Sequence, residues 1–406
     1  MRVLVWVLAA ALSTPAWAAD DRADWRSFLG GRGNVAAEAE LPRSWSVETG
    51  ENIAWTAELP GRGVSSPIVI DGRVVVTCSS GEPENQLHVL AFDQQTGALL
   101  WQRDFEATGR TKFNEATALA ANTPASDGGR IFAMFSSNDL AALNLDGNVL
   151  WTRSLTAEHP QAGNDFGMAS SPLAAGELVI VQCDGEHEAF AAAFDARDGA
   201  PRWERPRKAG GSWSSPLALQ QTVDGEQVAA VAFQSAEGIE TLRVDTGELI
   251  WKAELPCETI PSPIAADDRL IVSAQGLVAL EADAAAGDAE VVWRAKGLRP
   301  AAASPLMHGG RVYAVNRGGL LTCAEFGGDE TAWRLRLGGT FWATPLLASG
   351  RLYCINGAGK AFVVELGDTA EVSAEINFGE DVLASPAVAD NAMFVRSHRH
   401  LWKIAE

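Results

Sequence analysis

The chain has 406 residues, and its 32 basic against 52 acidic side chains leave a formal net charge of −20. A surface of that sign repels phosphate backbones and anionic lipid headgroups, which excludes nucleic acid as a natural partner.

The first element in chain order is a targeting signal. Arg2 supplies one positive charge, Val3 to Leu12 form an apolar run, and Ala16-Trp17-Ala18 places small residues where a signal peptidase reads. Ten apolar residues are too few for a membrane-spanning helix, which needs about 20. The expectation is a signal peptide over 1–18, cleaved after Ala18 or Ala19, with no Cys following for lipid attachment. The exported chain is then expected to be a periplasmic or secreted monomer without a transmembrane segment. Residues 19–51 read as an N-terminal extension and 52–406 as one repeat domain.

A Ser-Pro or Thr-Pro pair then recurs eight times, beginning at Ser66, Thr123, Ser171, Ser215, Ser262, Ser304, Thr344 and Ser385. A Trp recurs in counterpoint at Trp55, Trp101, Trp151, Trp203, Trp251, Trp293 and Trp333. Two independent markers with one period of 40–57 residues define a structural repeat. Within each period four short strands are expected. Pro, lacking an N–H, opens the first. A turn such as Asp71-Gly72 follows, then an apolar, β-branched run (RVVVTC, RIFAMF, RLYCI). A third strand ends near Asp, and a tight turn such as Thr96-Gly97 leads into the Trp strand. Consecutive hairpins without intervening helices indicate an all-β propeller of eight four-stranded blades.

The segment after Ser385 supplies three strands and lacks a Trp strand, whereas NIAWTAEL at 52–59 is a Trp strand with nothing before it. The N-terminal strand is therefore expected to pair with the C-terminal blade and close the ring, leaving no free sheet edge. The seventh repeat departs from the pattern, with Ala374 at the Trp position.

Five cysteines are an odd number, and Cys78 and Cys183 occupy one position in non-adjacent repeats, so they read as small buried hydrophobes. Cys323 with Cys354 is the one pairing worth checking.

The segments AFDQQTGALLW (91–101) and AFDARDGAPRW (193–203) resemble the tryptophan-docking repeat of pyrroloquinoline-quinone-like (PQQ-like) β-propellers. With the N-terminal stretch DWRSFLGGRGNVAAEAELPRSW, the whole exported chain resembles single-domain members of the BamB-like and planctomycete type. The resemblance implies the propeller fold and leaves function open, because propellers host many roles. Quinone-dependent dehydrogenases of this fold hold the quinone over a divalent cation, and many carry two adjacent cysteines. This chain has no adjacent cysteines. No cofactor and no metal is expected, PQQ with calcium included. The expected function is a non-catalytic envelope scaffold or binding module for a protein, glycan or small ligand. The alternative is a PQQ- or metal-dependent periplasmic oxidoreductase.

Other motifs carry little. Gly31 to Ala36 fits a dinucleotide fingerprint in letters only, since no strand precedes it. Asp184, Glu186, His187 and Glu188 read as a solvated acidic hairpin, and His398 and His400 as turn residues. The candidate binding face lies just before each Pro, where a loop brings the chain to one mouth of the channel: Arg62, Asn122, Phe166, Met168, Trp213, Arg299, Phe341 and Trp342. Aromatic and Arg side chains converging on a concavity are the usual makings of a binding site. Lys112, Phe113, Asn114, Glu115, His159 and Asp165, in the long first and second connections, are expected to complete it.

Overall fold

The computed structural model describes residues 24–406 except 267, 268 and 329, so the expected signal peptide lies outside the described residues. The architecture is all-β, with one short α-helix, Leu155–Glu158, among the described residues. Among the described residues no helix is long and apolar enough to cross a membrane.

Each hydroxyl-Pro pair opens a short inner strand, and three antiparallel strands follow outward. The first sheet runs Ile68–Ile70, Arg73–Ser80, Gln86–Asp93, Leu99–Glu106. Sheets of the same order begin at Ala125, Leu173, Leu306 and Leu346. The meanders that begin at Leu217 and Ile264 join into one eight-stranded sheet through a single parallel pair, Lys252 with Asp288. In the last sheet Ile53–Glu58 pairs antiparallel with His400–Ile404, Thr56 lying opposite Trp402.

The hydroxyl residues have a further role that the sequence did not disclose. The backbone N–H of Ser66 donates to Thr123 Oγ1 at 2.9 Å, and that of Thr123 to Ser171 Oγ at 3.0 Å. The same bond links Ser171 to Ser215, Ser215 to Ser262, Ser262 to Ser304, Ser304 to Thr344 and Thr344 to Ser385. Pro fixes the direction of each strand start, and the preceding hydroxyl ties it to its neighbour.

On the outside, the tryptophans join consecutive sheets. The indole N–H of Trp55 donates to the Gln94 carbonyl, that of Trp101 to Leu145, that of Trp151 to Ala196 and that of Trp203 to Val244, at 2.8–3.2 Å. Beneath these rings sit Gly97, Gly147, Gly199 and Gly247, where a Cβ would come within 2.5–2.7 Å of the indole. All four have φ between +71° and +78°, so glycine is required there twice over. The apolar clusters straddle consecutive sheets, and the largest joins Val74 and Val76 of the first sheet to Phe394 and Trp402 of the last.

The seventh repeat solves its missing Trp from elsewhere. Ala374 pairs with Val363, the register position at which Trp333 pairs with Cys323 and Trp293 with Ala279. In other sheets the Trp packs on an aromatic of the second strand: Trp333 on Tyr313 at 5.9 Å, Trp55 on Phe394 at 6.0 Å, Trp151 on Phe132 at 6.2 Å. Here the equivalent Tyr353 stacks with Trp45 of the N-terminal extension at 6.4 Å, and Phe378 flanks it at 6.0 Å. Trp45 is 3% exposed.

The extension also crosses the end of the axis away from the hydroxyl pairs. Trp25 exchanges backbone hydrogen bonds with Val69, Arg26 O accepts from Ser126 N, and Val35–Ala36 lies parallel to Leu346–Ala348. The buried Asn34 amide donates to the Thr344 and Pro345 carbonyls at 3.0 and 3.1 Å. Residues 24–36 thus bridge the first, second and seventh inner strands as a plug.

Candidate functional site

Two cavities lie along the axis, with Phe28, Ser171, Ser215 and Ser262 lining both. The one behind the plug, about 490 Å³, is lined by Asp24, by Arg26 to Gly33 and by the starts of inner strands. The other, about 310 Å³, opens at the hydroxyl-Pro end. Its wall follows one rule. The residue two places before each hydroxyl residue faces the axis: Val64, Ala121, Ala169, Trp213, Ile260, Ala302, Trp342 and Leu383. All eight are apolar. Below them lies a tier of hydroxyls from Ser66, Thr123, Ser171, Ser215, Ser262, Ser304 and Ser385, with Phe166, Asn114, Thr117 and Ser136 at one side.

Extended chain alternates its side chains, so the residue one place before the hydroxyl points away from the axis. Ser65, Asn122, Ser170, Ser214, Ala303, Ala343 and Ala384 are all at most 3% exposed. This alternation sorts the expected binding face. Phe166, Trp213 and Trp342 line the cavity, and Phe166 and Trp342 are 57% and 38% exposed. Asn122, Met168 and Phe341 do not reach it. Asn122 donates to the Ser170 carbonyl at 2.6 Å, Met168 sits in the core between the second and third sheets, and Phe341 packs on Phe362 at 6.5 Å. Arg299 is exposed, its Nε bonded to the Lys296 carbonyl at 3.1 Å. Arg62 lies outside the lining, engaged with Glu84 Oε1 at 2.9 Å and the Glu115 carbonyl at 2.8 Å, above the Phe113 ring.

Of the residues expected from the long connections, Asn114 joins the lining. Its Oδ1 accepts from Ala116 N at 3.0 Å, and its amide N–H₂ has no protein acceptor among the described residues. His159 belongs elsewhere, stacked on Phe190 at 3.8 Å and paired with Glu188 and Glu204. Trp213 is held by its indole N–H on the Gly167 carbonyl at 2.7 Å and meets Phe166 edge-on at 6.4 Å.

The acidic hairpin reading needs correction at Asp184. This carboxylate is fully buried and receives Arg207 Nε at 2.8 Å and Gln182 Nε2 at 2.6 Å, an internal ion pair rather than a solvated charge. Among the described residues no three His, Cys, Asp or Glu side chains cluster to hold a metal. The five cysteines, Cys323 and Cys354 included, are buried with free thiols.

The junction between the last and first sheets is held by a buried cation. Arg396, 0% exposed, donates to the Thr77 carbonyl at 2.7 Å, Ser65 Oγ at 3.2 Å and the Ser397 carbonyl at 2.8 Å. Beside it His398 Nδ1 accepts the Gly63 N–H at 3.3 Å. Burial first, then Arg62 and Arg396, push the His398 imidazole down from 6.5 to about 4. The native state therefore holds it neutral where the unfolded chain binds a proton, and stability is lost as pH falls from about 6.5 toward 4. Melting temperatures are expected to fall through that window for the parent, and less for His398→Asn, which keeps an acceptor but cannot titrate. Identical slopes would remove His398 as the cause.

Nested four-stranded meanders pinned by Ser/Thr-Pro starts and inter-sheet tryptophans define a PQQ-like repeat β-propeller. The family model described as outer membrane protein assembly factor BamB matches residues 27–165, 192–304 and 276–372. The chain belongs to that family. Among curated relatives, the outer membrane protein assembly factor BamB of Burkholderia pseudomallei (strain K96243) is 27% identical over 245 residues, 58% of this chain. That of Moranella endobia (strain PCIT) is 22% identical over 232 residues, 55% of this chain. The alignments span 57% and 52% of those relatives' own lengths. Among solved structures, BamB from Moraxella catarrhalis superposes with a TM-score of 0.63 at 17% identity, covering 86% of this chain and 96% of its own. Quinohemoprotein alcohol dehydrogenase from Comamonas testosteroni gives 0.71 at 14% identity, covering 96% and 81%. At such identities these structures establish the shared fold.

Proposed function

We propose that this chain is a non-catalytic binding module of the bacterial envelope, an eight-bladed ring closed by its N-terminal strand, holding a partner at the aromatic mouth. The observation that carries the reading is the mouth itself. Phe166, edge-on to Trp213, and Trp342 stand exposed on a cavity with no charged lining residue. Exposed aromatics converging on a concavity are costly to keep in water and are characteristic of binding sites. The pairing of Ile53–Glu58 with His400–Ile404 and the buried Arg396 staple support ring closure. Membership of the BamB family supports an assembly or scaffold role, and the signal-peptide pattern read in the sequence over 1–18 accords with the envelope.

The quinone alternative fits poorly. A quinone held over a divalent cation needs carboxylate or similar oxygen ligands, and the cavity lining contains no Asp, Glu, His or Cys. The two carboxylates lining the opposite cavity, Asp24 and Asp127, are engaged by Arg26 and Arg130. Pyrroloquinoline quinone with calcium is expected to give neither saturable binding nor dye reduction with alcohols or sugars. Turnover would replace the binding-module reading.

The mouth is tested with Phe166→Ala and Trp342→Ala. Phe166 is more than half exposed, so Phe166→Ala should leave the melting temperature near the parent value, surface changes being usually within about 0.5 kcal/mol, while Trp342, a little over a third exposed, should cost somewhat more. Retention of envelope material on the immobilised protein should drop about tenfold or more, as for loss of an interface anchor. Unchanged retention in both variants would remove the mouth as the working face.

A further inference from the structure

From the two tiers of the axial cavity we infer a site for a neutral sugar ring, which names the ligand class of the mouth and rests on the mouth being the binding face. The lower tier is a crown of hydroxyls. Ser66, Thr123, Ser171, Ser215, Ser262, Ser304 and Ser385 all line the cavity and are at most 6% exposed. Six of them, from Thr123 to Ser385, accept a backbone N–H from the preceding repeat. That bond uses an oxygen lone pair and leaves the O–H proton to donate, and none of the seven donates to a protein acceptor among the described residues. Seven buried O–H groups thus converge on the axis, joined by the Asn114 amide donor.

The chemistry of the occupant follows from what this arrangement penalises. An apolar side chain or a purely aromatic molecule would strip water from the crown and give its donors nothing, which is costly for buried polar groups. An anion would satisfy donors, but no Lys, Arg or His lines the cavity and the chain carries a net charge of −20. A cation finds no carboxylate there. A neutral polyol ring supplies what is missing. Its hydroxyl and ring oxygens accept from the crown and from Asn114, while its C–H faces, weakly positive, lie against the negative faces of Trp213, Trp342 and Phe166. The apolar tier of Val64, Ile260 and Leu383 excludes charge above it. The volume of about 310 Å³ lies at the lower end of the range for small-molecule sites and admits one sugar unit with its waters. The open mouth lets a longer glycan enter by its end.

The test titrates the full exported chain with glucose, N-acetylglucosamine, maltotriose and chitotriose, with glucuronate as charged control and indole as apolar aromatic control. Tryptophan fluorescence and saturation-transfer NMR are read together. At least one neutral saccharide should saturate in the millimolar range or below and transfer saturation from its ring protons, while glucuronate and indole do not. Asn114→Ala and Phe166→Ala should each weaken that binding about tenfold, equivalent to about 1.4 kcal/mol. Saturation by no saccharide, or equal saturation by glucuronate or indole, overturns the sugar assignment. If saccharides fail while envelope retention still depends on Phe166 and Trp342, the binding face stands and only the ligand class falls. If retention is indifferent to both residues, the underlying reading fails first.

Discussion

Trp45→Ala is expected to cost about 3–5 kcal/mol, the range for emptying a buried aromatic site. That is a large part of the 5–15 kcal/mol that holds a typical domain together. The reason lies in the seventh repeat, where Ala374 occupies the Trp register and Trp45 takes over the stack on Tyr353 and Phe378. Urea unfolding should show the midpoint drop. A companion variant makes the argument specific: Ala374→Trp added to Trp45→Ala places an indole where every other repeat has one, and should restore more than half the loss. In the parent background the same Ala374→Trp should destabilise, because Trp45 and Ala374 pack in one cluster. A Trp45→Ala protein that unfolds at the parent midpoint would show that the stack contributes nothing.

Removal of residues 24–59 should have the larger consequence. It takes away Trp25, Trp45 and Trp55, which are 4%, 3% and 8% exposed, and unpairs His400–Ile404 along its whole outer edge. An uncovered strand edge templates association with other chains. The truncated protein is expected to be aggregated or oligomeric by light scattering, with no cooperative melt near the parent temperature. Addition of a peptide spanning 41–59 should recover a monomeric fraction, since it returns both the strand and Trp45. A truncated chain that remains a monomer and melts with the parent would contradict closure by the N-terminal strand.

The repeat was legible in the sequence because its markers answer local physical needs that recur in every period. Pro begins an inner strand, Gly admits the indole, and the apolar runs fill the space between sheets. What escaped were contributions made out of register. Trp45 lies in no repeat, so periodicity could not pair it with Ala374, although the gap at Ala374 was visible. The plug of residues 24–36 is built mainly of backbone hydrogen bonds to inner strands, which leave no side-chain signature. The cavity wall comes from the loops to which the sequence pointed, but Arg62, Asn122, Met168, Arg299 and Phe341 do not line it. A period-2 count back from each hydroxyl would have selected the lining directly, since that position is Val, Ala, Ala, Trp, Ile, Ala, Trp, Leu in chain order. Phe166 escaped this count because it comes from the long second connection, yet its exposure places it at the rim.

The claim that the mouth is the working face is tested most directly by covalent capture in place. A photoreactive diazirine side chain is installed at position 342, and separately at position 99, which is 52% exposed on an outermost strand far from the axis. Irradiation in the intact envelope should join position 342 to a partner or glycan and shift the protein's gel mobility, and excess of the saccharide that saturates the cavity should suppress the shift. Position 99 should give no such product. Capture at position 99 with none at 342 would place the working surface on the outer strands and contradict the account.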